Sequence, residues 1–186
     1  MRDNMTVAGK VEEIIEIPAG IKASIQGHVV TVAAKGTKLS RKLWHPRVDL
    51  ALSGNHIAVS CELPGRREKA LVGTFSAHIR NMITGVTDGF RCEMKMVYSH
   101  FPMKLIVKEK EFVIENFLGE KFPRKARIMG ATQVEVKGDQ VILTGHNIED
   151  VGQSAANIER ATKIKNFDPR VFQDGVYIVV KPGEVP

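Results

Sequence analysis

Apolar and polar residues alternate along this chain with two different periods, and the change from one period to the other happens twice. Val134 and Val136 alternate with Gln133, Glu135 and Lys137, the period of two that a half-buried strand requires. Val29, Val30, Thr31 and Val32 make a β-branched run that predicts the central part of another strand. Ser53-Gly54-Asn55-His56 and Lys137-Gly138-Asp139-Gln140 each stand between β-prone runs. Glycine first in a two-residue loop predicts a type II′ hairpin turn, whose twist matches that of the flanking strands. Over residues 70–83 the period lengthens, and Leu71, Val72, Phe75, Ile79, Met82 and Ile83 form the apolar stripe of a helix ending near Gly85. It lengthens again after Asn147, where Val151, Ser154, Ala155, Ile158 and Thr162 recur at helical spacing. Asn147 is the predicted cap, with Asp150 three positions on as a weaker form of the capping box. Gly152, Ala155 and Ala156 are small enough to let this helix approach a sheet closely.

The same order of features occurs twice. The first half runs IKASIQGHVVTVAAKG from Ile21, Arg41-Lys42, DLALSGNHIAVS from Asp49, then the first helix. The second runs MKLIVKEKEFVIENFLG from Met103, Arg124-Lys125, QVEVKGDQVILT from Gln133, then DVGQSAANIERAT from Asp150. Gly36 matches Gly119, Gly54 matches Gly138, Gly73 matches Gly152 and Ile79 matches Ile158, at offsets of 83, 84, 79 and 79 residues. This is the mark of an internal duplication: two strand-rich units, each closed by a helix. The stretch GVTDG at 85–89 places the boundary near Gly89, giving units 1–88 and 89–186, with residues 90–98 as the first strand of the second. Residues 1–16 and the closing VVKPGEVP are expected to be peripheral, and Gly175 to enable a tight turn between Phe172 and Tyr177.

Composition narrows the class of protein. With 186 residues, 43% hydrophobic and 26% charged, the chain can build a packed core and is neither disordered nor disulfide-stapled. Cys61 and Cys92 lie far apart without a second pair, which argues against a metal knuckle and fits a reducing cytosol. The N-terminus carries acids where a signal peptide needs an apolar core, and no apolar stretch approaches the roughly 18 residues of a membrane span. A soluble, intracellular protein is expected.

Enzymatic constellations are missing. His28, His45, His56, His78, His100 and His146 are scattered, none at i, i+4 of another and none in an HExxH arrangement. GxxxxGK[ST], GxGxxG and GxSxG do not occur, and neither cysteine has a fixed histidine partner in sequence. Nothing supports an enzyme or calls for a cofactor or metal.

Charge is more informative. The net charge of +6 favours an anionic partner without naming one. Four basic clusters stand out: Lys35, Lys38, Arg41, Lys42 and Arg47 around the lone Trp44; Arg66, Arg67 and Lys69; Lys121, Arg124, Lys125 and Arg127; and Arg160, Lys163, Lys165 and Arg170. The last two fall in one repeat, so that loops 119–130 and 163–170 are expected to share a face if the unit folds on itself. Lysine and arginine on loops reach the phosphates of structured RNA, and Asn166 can contact riboses. Few exposed aromatics are expected beside them, which disfavours stacking on single-stranded bases. Net charge does not locate the face: residues 1–88 carry 12 basic and 8 acidic side chains, residues 89–186 carry 15 and 13.

Residues 151–180 resemble the archaeal and eukaryotic branch of the large-subunit ribosomal protein L-six family. The resemblance lies in GQSAANIE from Gly152, TKIKN from Thr162 and DPRVFQDGVY from Asp168, and the duplicated layout extends it over essentially the whole chain. Where the bacterial branch has a KGKG segment this chain has FQDG at 172–175, so bacterial contact residues do not transfer one by one. The resemblance implies an α+β fold of two similar tandem units, each a small, mostly antiparallel sheet with a helix on one face. It further implies a structural role on large-subunit rRNA near the factor-binding region and sarcin–ricin loop, beside neighbouring ribosomal proteins and close to translation GTPase factors. The C-terminal unit would make most of the RNA contacts. Within the matching motif the implied contacts are Asn157, Arg160, Lys163, Lys165, Asn166 and Arg170; Lys121, Arg124, Lys125 and Arg127 join them on charge and position. A non-ribosomal regulator of structured RNA would share the same basic loops.

Overall fold

The computed structural model describes residues 5–7, 9–34, 36–99, 101–168 and 170–183. Lys35 of the first basic cluster and His100 lie outside the described residues. The chain forms two compact units, Met1–Asp88 and Gly89–Pro186. The first contains β1 (Met5–Val7), β2 (Lys10–Glu16), β3 (Lys22–Gln26), β4 (Val29–Ala34), β5 (Thr37–Lys42), β6 (Asp49–Ser53), β7 (His56–Glu62) and α1 (Arg66–Thr87). The second contains β8 (Phe90–Val97), β9 (Lys104–Lys108), β10 (Glu111–Glu115), β11 (Arg124–Arg127), β12 (Gln133–Lys137), β13 (Gln140–Gly145), α2 (Ile148–Ala161) and β14 (Gly175–Val180).

The duplication is visible in the topology. Each unit holds a four-stranded and a three-stranded sheet, all antiparallel: β1-β2-β7-β6 with β3-β4-β5, and β12-β13-β8-β14 with β11-β10-β9. The α+β class holds, and the structure adds a second sheet to each unit. The helix packs against strands of both sheets, α1 on β2, β4, β5 and β7, and α2 on β8, β11, β13 and β14. Two cores result. Val30, Val32, Ile57, Val59, Val72 and Ile79 fill the first; Met94, Phe112, Ile114, Leu143, Val151, Ala155 and Ile158 fill the second. Burying each of the larger side chains stabilises its unit by roughly 1.5–3 kcal/mol. Among the described residues no helix is long and apolar enough to cross a membrane.

Both predicted hairpins form with Ser53 opposite His56 and Lys137 opposite Gln140. Gly54 and Gly138 take φ of 57° and 60°, while Asn55 and Asp139 stay out of the positive-φ region, as type II′ and not type I′ demands. Asn147 caps α2 through Oδ1, which accepts from the Glu149 amide at 3.1 Å. Asp150 does not complete a capping box; its carboxylate accepts from the Asn147 side-chain amide at 3.0 Å.

Three expectations are corrected. Residues 10–16 are not peripheral: β2 pairs with β7 from Lys10–Glu62 to Glu16–His56 and buries Ile15. The strand is obscured in sequence because Glu13 occupies a helix-facing position, where Arg80 of α1 donates to it at 3.0 Å. Helix α1 starts at Arg66, four residues before the predicted stretch 70–83, and runs to Thr87, two residues past Gly85. Its first turn is polar and has no side-chain cap, and Gly85, which looks like a stop, is buried inside the last turn. Gly175 makes no turn; it opens β14, the edge strand on β8. A Cβ there would lie 3.0 Å from the Tyr177 ring, whose hydroxyl donates to the Gln173 carbonyl at 3.1 Å. Gly175→Val is therefore expected to swing Tyr177 outward at a cost of about 1–2 kcal/mol. Urea denaturation checks this, together with unchanged RNA affinity.

Candidate nucleic-acid interface

Three of the four cations of the third basic cluster lie on an edge strand instead of a loop. In β11 the period of two sends Ala126 into the core, with Arg124 on its side, and turns Lys125 and Arg127 to solvent. Lys121 and Phe122 precede it in the exposed connection from the one-turn 3-10 helix Phe117–Gly119. Lys125 pairs with Glu111 of β10 at 3.1 Å, an exposed contact worth little.

The fourth cluster begins at the C-terminal end of α2. Arg160 is exposed in the last turn, where a cation complements the helix dipole. Thr162, buried at the cap, accepts from the Val176 amide at 3.1 Å and so ties the helix end to β14. The chain then runs outward with Lys163 and Lys165 exposed on either side of Ile164, which packs against the core. Asn166 adopts a left-handed conformation, φ 64°, and is exposed. Asp168 organises the following turn: its carboxylate accepts from the Arg170 amide at 2.9 Å and its carbonyl from the amides of Val171 and Phe172. The Arg170 side chain is 90% exposed, 3.7 Å from Asp168.

One residue joins the two segments. Arg124 Nη1 donates to the carbonyls of Ala161 and Lys163, each at 2.9 Å, while Nε and Nη2 grip both oxygens of Glu120 at 2.8 and 2.5 Å. Its guanidinium also lies 4.1 Å from the centre of the Phe117 ring. A second tie comes from Asn157, whose side-chain amide donates to the Arg127 carbonyl at 2.9 Å and whose Oδ1 accepts from Gln153. Arg124 and Asn157 thus spend their polar atoms inside the chain, holding strand and helix together. Lys121, Arg127, Arg160, Lys163 and Lys165 have no ion pair among the described residues and are exposed.

The shortage of exposed aromatics expected beside these cations is overturned. Phe122 is 85% exposed and Phe167 is 50% exposed, the latter resting on Phe172 with ring centres 4.9 Å apart. Lys121-Phe122-Pro123 carried the signal, an aromatic side chain outside any strand or helix period.

The Arg124 hydrogen bonds hold the Glu120 carboxyl below its ordinary 4.5, against a smaller opposing effect of burial. A carboxyl whose pKa falls on folding adds stability above its unfolded pKa, and that stability is lost as pH drops through the folded value. Glu120→Gln should therefore lower stability at neutral pH, and the gap from the wild-type protein should close as pH falls through the carboxylate range. Paired denaturation curves at neutral and acid pH measure it. Burial pushes the Cys92 thiol up to about 11, the opposite of an activated nucleophile. Among the described residues no group of histidine, cysteine or carboxylates is placed to hold a metal ion.

Comparison with known proteins decides the family. The family model described as ribosomal protein L6 matches residues 17–89 and again 101–175, once in each unit. The chain belongs to the ribosomal protein L6 family. Archaeal relatives agree over nearly their whole length. The large ribosomal subunit protein uL6 of Methanobrevibacter smithii is 50% identical over 177 residues, covering 95% of this chain and 99% of that protein. Its counterpart in Methanosarcina mazei is 49% identical over 174 residues, covering 92% and 98%. The protein of the same name from Thermoplasma volcanium is 48% identical over 168, covering 90% and 94%. The L6 family is structural and non-enzymatic. Each of the two L6 matches begins after the first long strand of its unit, β2 or β8, which lie at equivalent places in the two four-stranded sheets.

Proposed function

We propose that this chain is a structural constituent of the large ribosomal subunit, working in the cytoplasm, and that it binds large-subunit rRNA chiefly through its C-terminal unit. Family membership supports the ribosomal role. The observation that carries the rRNA site is the pair of cationic segments, 121–127 and 160–170, brought within hydrogen-bond reach of each other by Arg124. Lys121, Lys125, Arg127, Arg160, Lys163, Lys165 and Arg170 offer charge to phosphates, and exposed Asn166 offers a polar group to a ribose. Phe122 and Phe167 add flat surfaces for an unpaired base. Arg124 and Asn157 position this surface and do not reach the RNA. The place on the subunit is near the factor-binding region and sarcin–ricin loop, among neighbouring ribosomal proteins and close to translation GTPase factors, as the family resemblance implies.

Sedimentation tests the role. The protein should travel with large subunits through a gradient at high salt. RNA binding without retention on subunits would instead mark a regulator outside the ribosome.

A further inference from the structure

The N-terminal unit carries a second basic face, on its three-stranded sheet. Across β3-β4-β5 the register aligns Lys22, Ala33 and Lys38 in one row, Ser24, Thr31 and Ser40 in the next, and Gln26, Val29 and Lys42 in a third. Directly opposed residues share a face of a sheet. The alternate rows, Ala23-Val32-Leu39 and Ile25-Val30-Arg41, turn the other way, and their apolar members pack in the core. The outer face therefore shows three lysines, three hydroxyls and no acid. Lys22, Lys38 and Lys42 are exposed and have no ion pair among the described residues.

This face is also concave. An open hollow of about 640 Å³ is lined by Lys22, Ser24, Thr31, Ala33 and Lys38, with the Gly54-Asn55 hairpin turn at its side. The middle of its floor is made of the small side chains of Ser24, Thr31 and Ala33, where another backbone can come close, and Ile17 and Ile21 also line the hollow. Lys22 and Lys38 stand two strand spacings apart, roughly 10 Å, on either side of that floor. At the far end the ladder continues one residue past β5, the buried Leu43 donating to the His28 carbonyl at 2.8 Å. The next residue, Trp44, is 56% exposed and meets His28 edge-on with ring centres 6.1 Å apart.

The duplicate builds the same sheet with a different charge pattern, its cations concentrated at the β11 edge where Lys125 and Arg127 belong to the site already described. In the equivalent sheet of the second unit the matching rows read Lys104-Glu115, Ile106-Val113-Lys125 and Lys108-Glu111-Arg127. Two acids interrupt the cations there, and no hydroxyl is present. The same scaffold thus bears a mixed-charge face in one copy and an all-cationic, hydroxyl-floored one in the other.

We infer that the outer face of β3-β4-β5 is a second RNA-contacting surface, which takes a phosphodiester backbone between Lys22 and Lys38 and alongside Lys42, with a base against Trp44. This rests on the proposed rRNA-binding role and adds to it a job for the N-terminal unit. Hydroxyl and ammonium donors over a small-residue floor suit phosphate oxygens, and an exposed indole suits a base; an acidic protein would use the lysines but has no need of the indole.

Trp44 is the chain's single tryptophan and reports on this face directly. The full-length protein is titrated with deproteinised archaeal large-subunit rRNA while its fluorescence and its affinity across salt concentrations are followed. Wild-type emission should be quenched at saturation. Changing Lys22→Gln, Lys38→Gln and Lys42→Gln together replaces only exposed side chains, so circular dichroism should be unchanged. That variant should lose the quench and flatten the salt dependence by up to about three phosphate equivalents, each contributing about 0.9 to the slope. A variant with Lys163, Lys165 and Arg170 changed to Ala should bind more weakly yet still quench when saturated. If wild-type protein binds rRNA with unaltered Trp44 emission and the glutamine variant keeps the full slope, the inference is overturned while the rRNA-binding role stands. Quenching by polyglutamate but not by rRNA assigns the face to an acidic protein and overturns it equally. If no rRNA binds at all, the role and the inference fall together.

Discussion

Arg124→Ala is expected to destabilise the C-terminal unit by about 3 kcal/mol and to loosen residues 162–168 from strand β11. Four of the five guanidinium N–H groups are satisfied within the chain, two by Glu120 and two by the carbonyls of Ala161 and Lys163. The ring of Phe117, buried in the second core, lies against the same group. Alanine strands the helix-end carbonyls and leaves Glu120 without its cation. Hydrogen bonds involving a charged group contribute about 1.5–3 kcal/mol each, but they do not add, and part of this set faces solvent. Arg124→Lys should recover less than half, because an ammonium cannot span a bidentate carboxylate and two carbonyls at once. Urea denaturation gives the energy, and hydrogen exchange of the amides from Thr162 to Asp168 locates it. A loss below about 1 kcal/mol with unchanged exchange would show that the two segments are held together some other way.

The second large effect is on binding. Changing Lys163, Lys165 and Arg170 together to Ala should weaken rRNA binding markedly and flatten the salt slope by up to about three phosphate equivalents. All three side chains are exposed, and none anchors the core. Stability should therefore hardly move, which separates this variant from Arg124→Ala. In the latter, by contrast, affinity should fall because the cations are no longer presented together, and the salt slope should stay near that of the wild-type protein. An unchanged slope in the triple variant would remove segment 163–170 from the RNA site.

Much of this architecture is legible in the residues because the duplication states it twice. Val134 and Val136, Gly54 and Gly138, and the stripes of both helices each follow from a local rule, and each element stands where that rule puts it. What escapes has a common physical cause: a polar residue whose partner is distant in sequence. Glu13 hides β2 until Arg80 is seen opposite it. Arg124 looks like one more cation in a run until its partners 37 and 39 residues away appear. Asn157 is the same case, its amide committed to the Arg127 carbonyl. Charge counting treats each such residue as available, whereas tertiary contacts sort them into cations that hold the fold and cations left exposed to solvent. Strand β11 completes the sorting, since a period of two alone turns Lys125 and Arg127 outward and Arg124 inward.

Cross-linking within intact large subunits tests the central claim most directly. Ultraviolet irradiation of subunits carrying this protein, followed by mass spectrometry of its peptides, should find nucleotide adducts within 121–127 and 160–172, with Phe122 and Phe167 as favoured sites. Adducts confined to other parts of the C-terminal unit, with both segments unmodified and joined to protein neighbours instead, would contradict it.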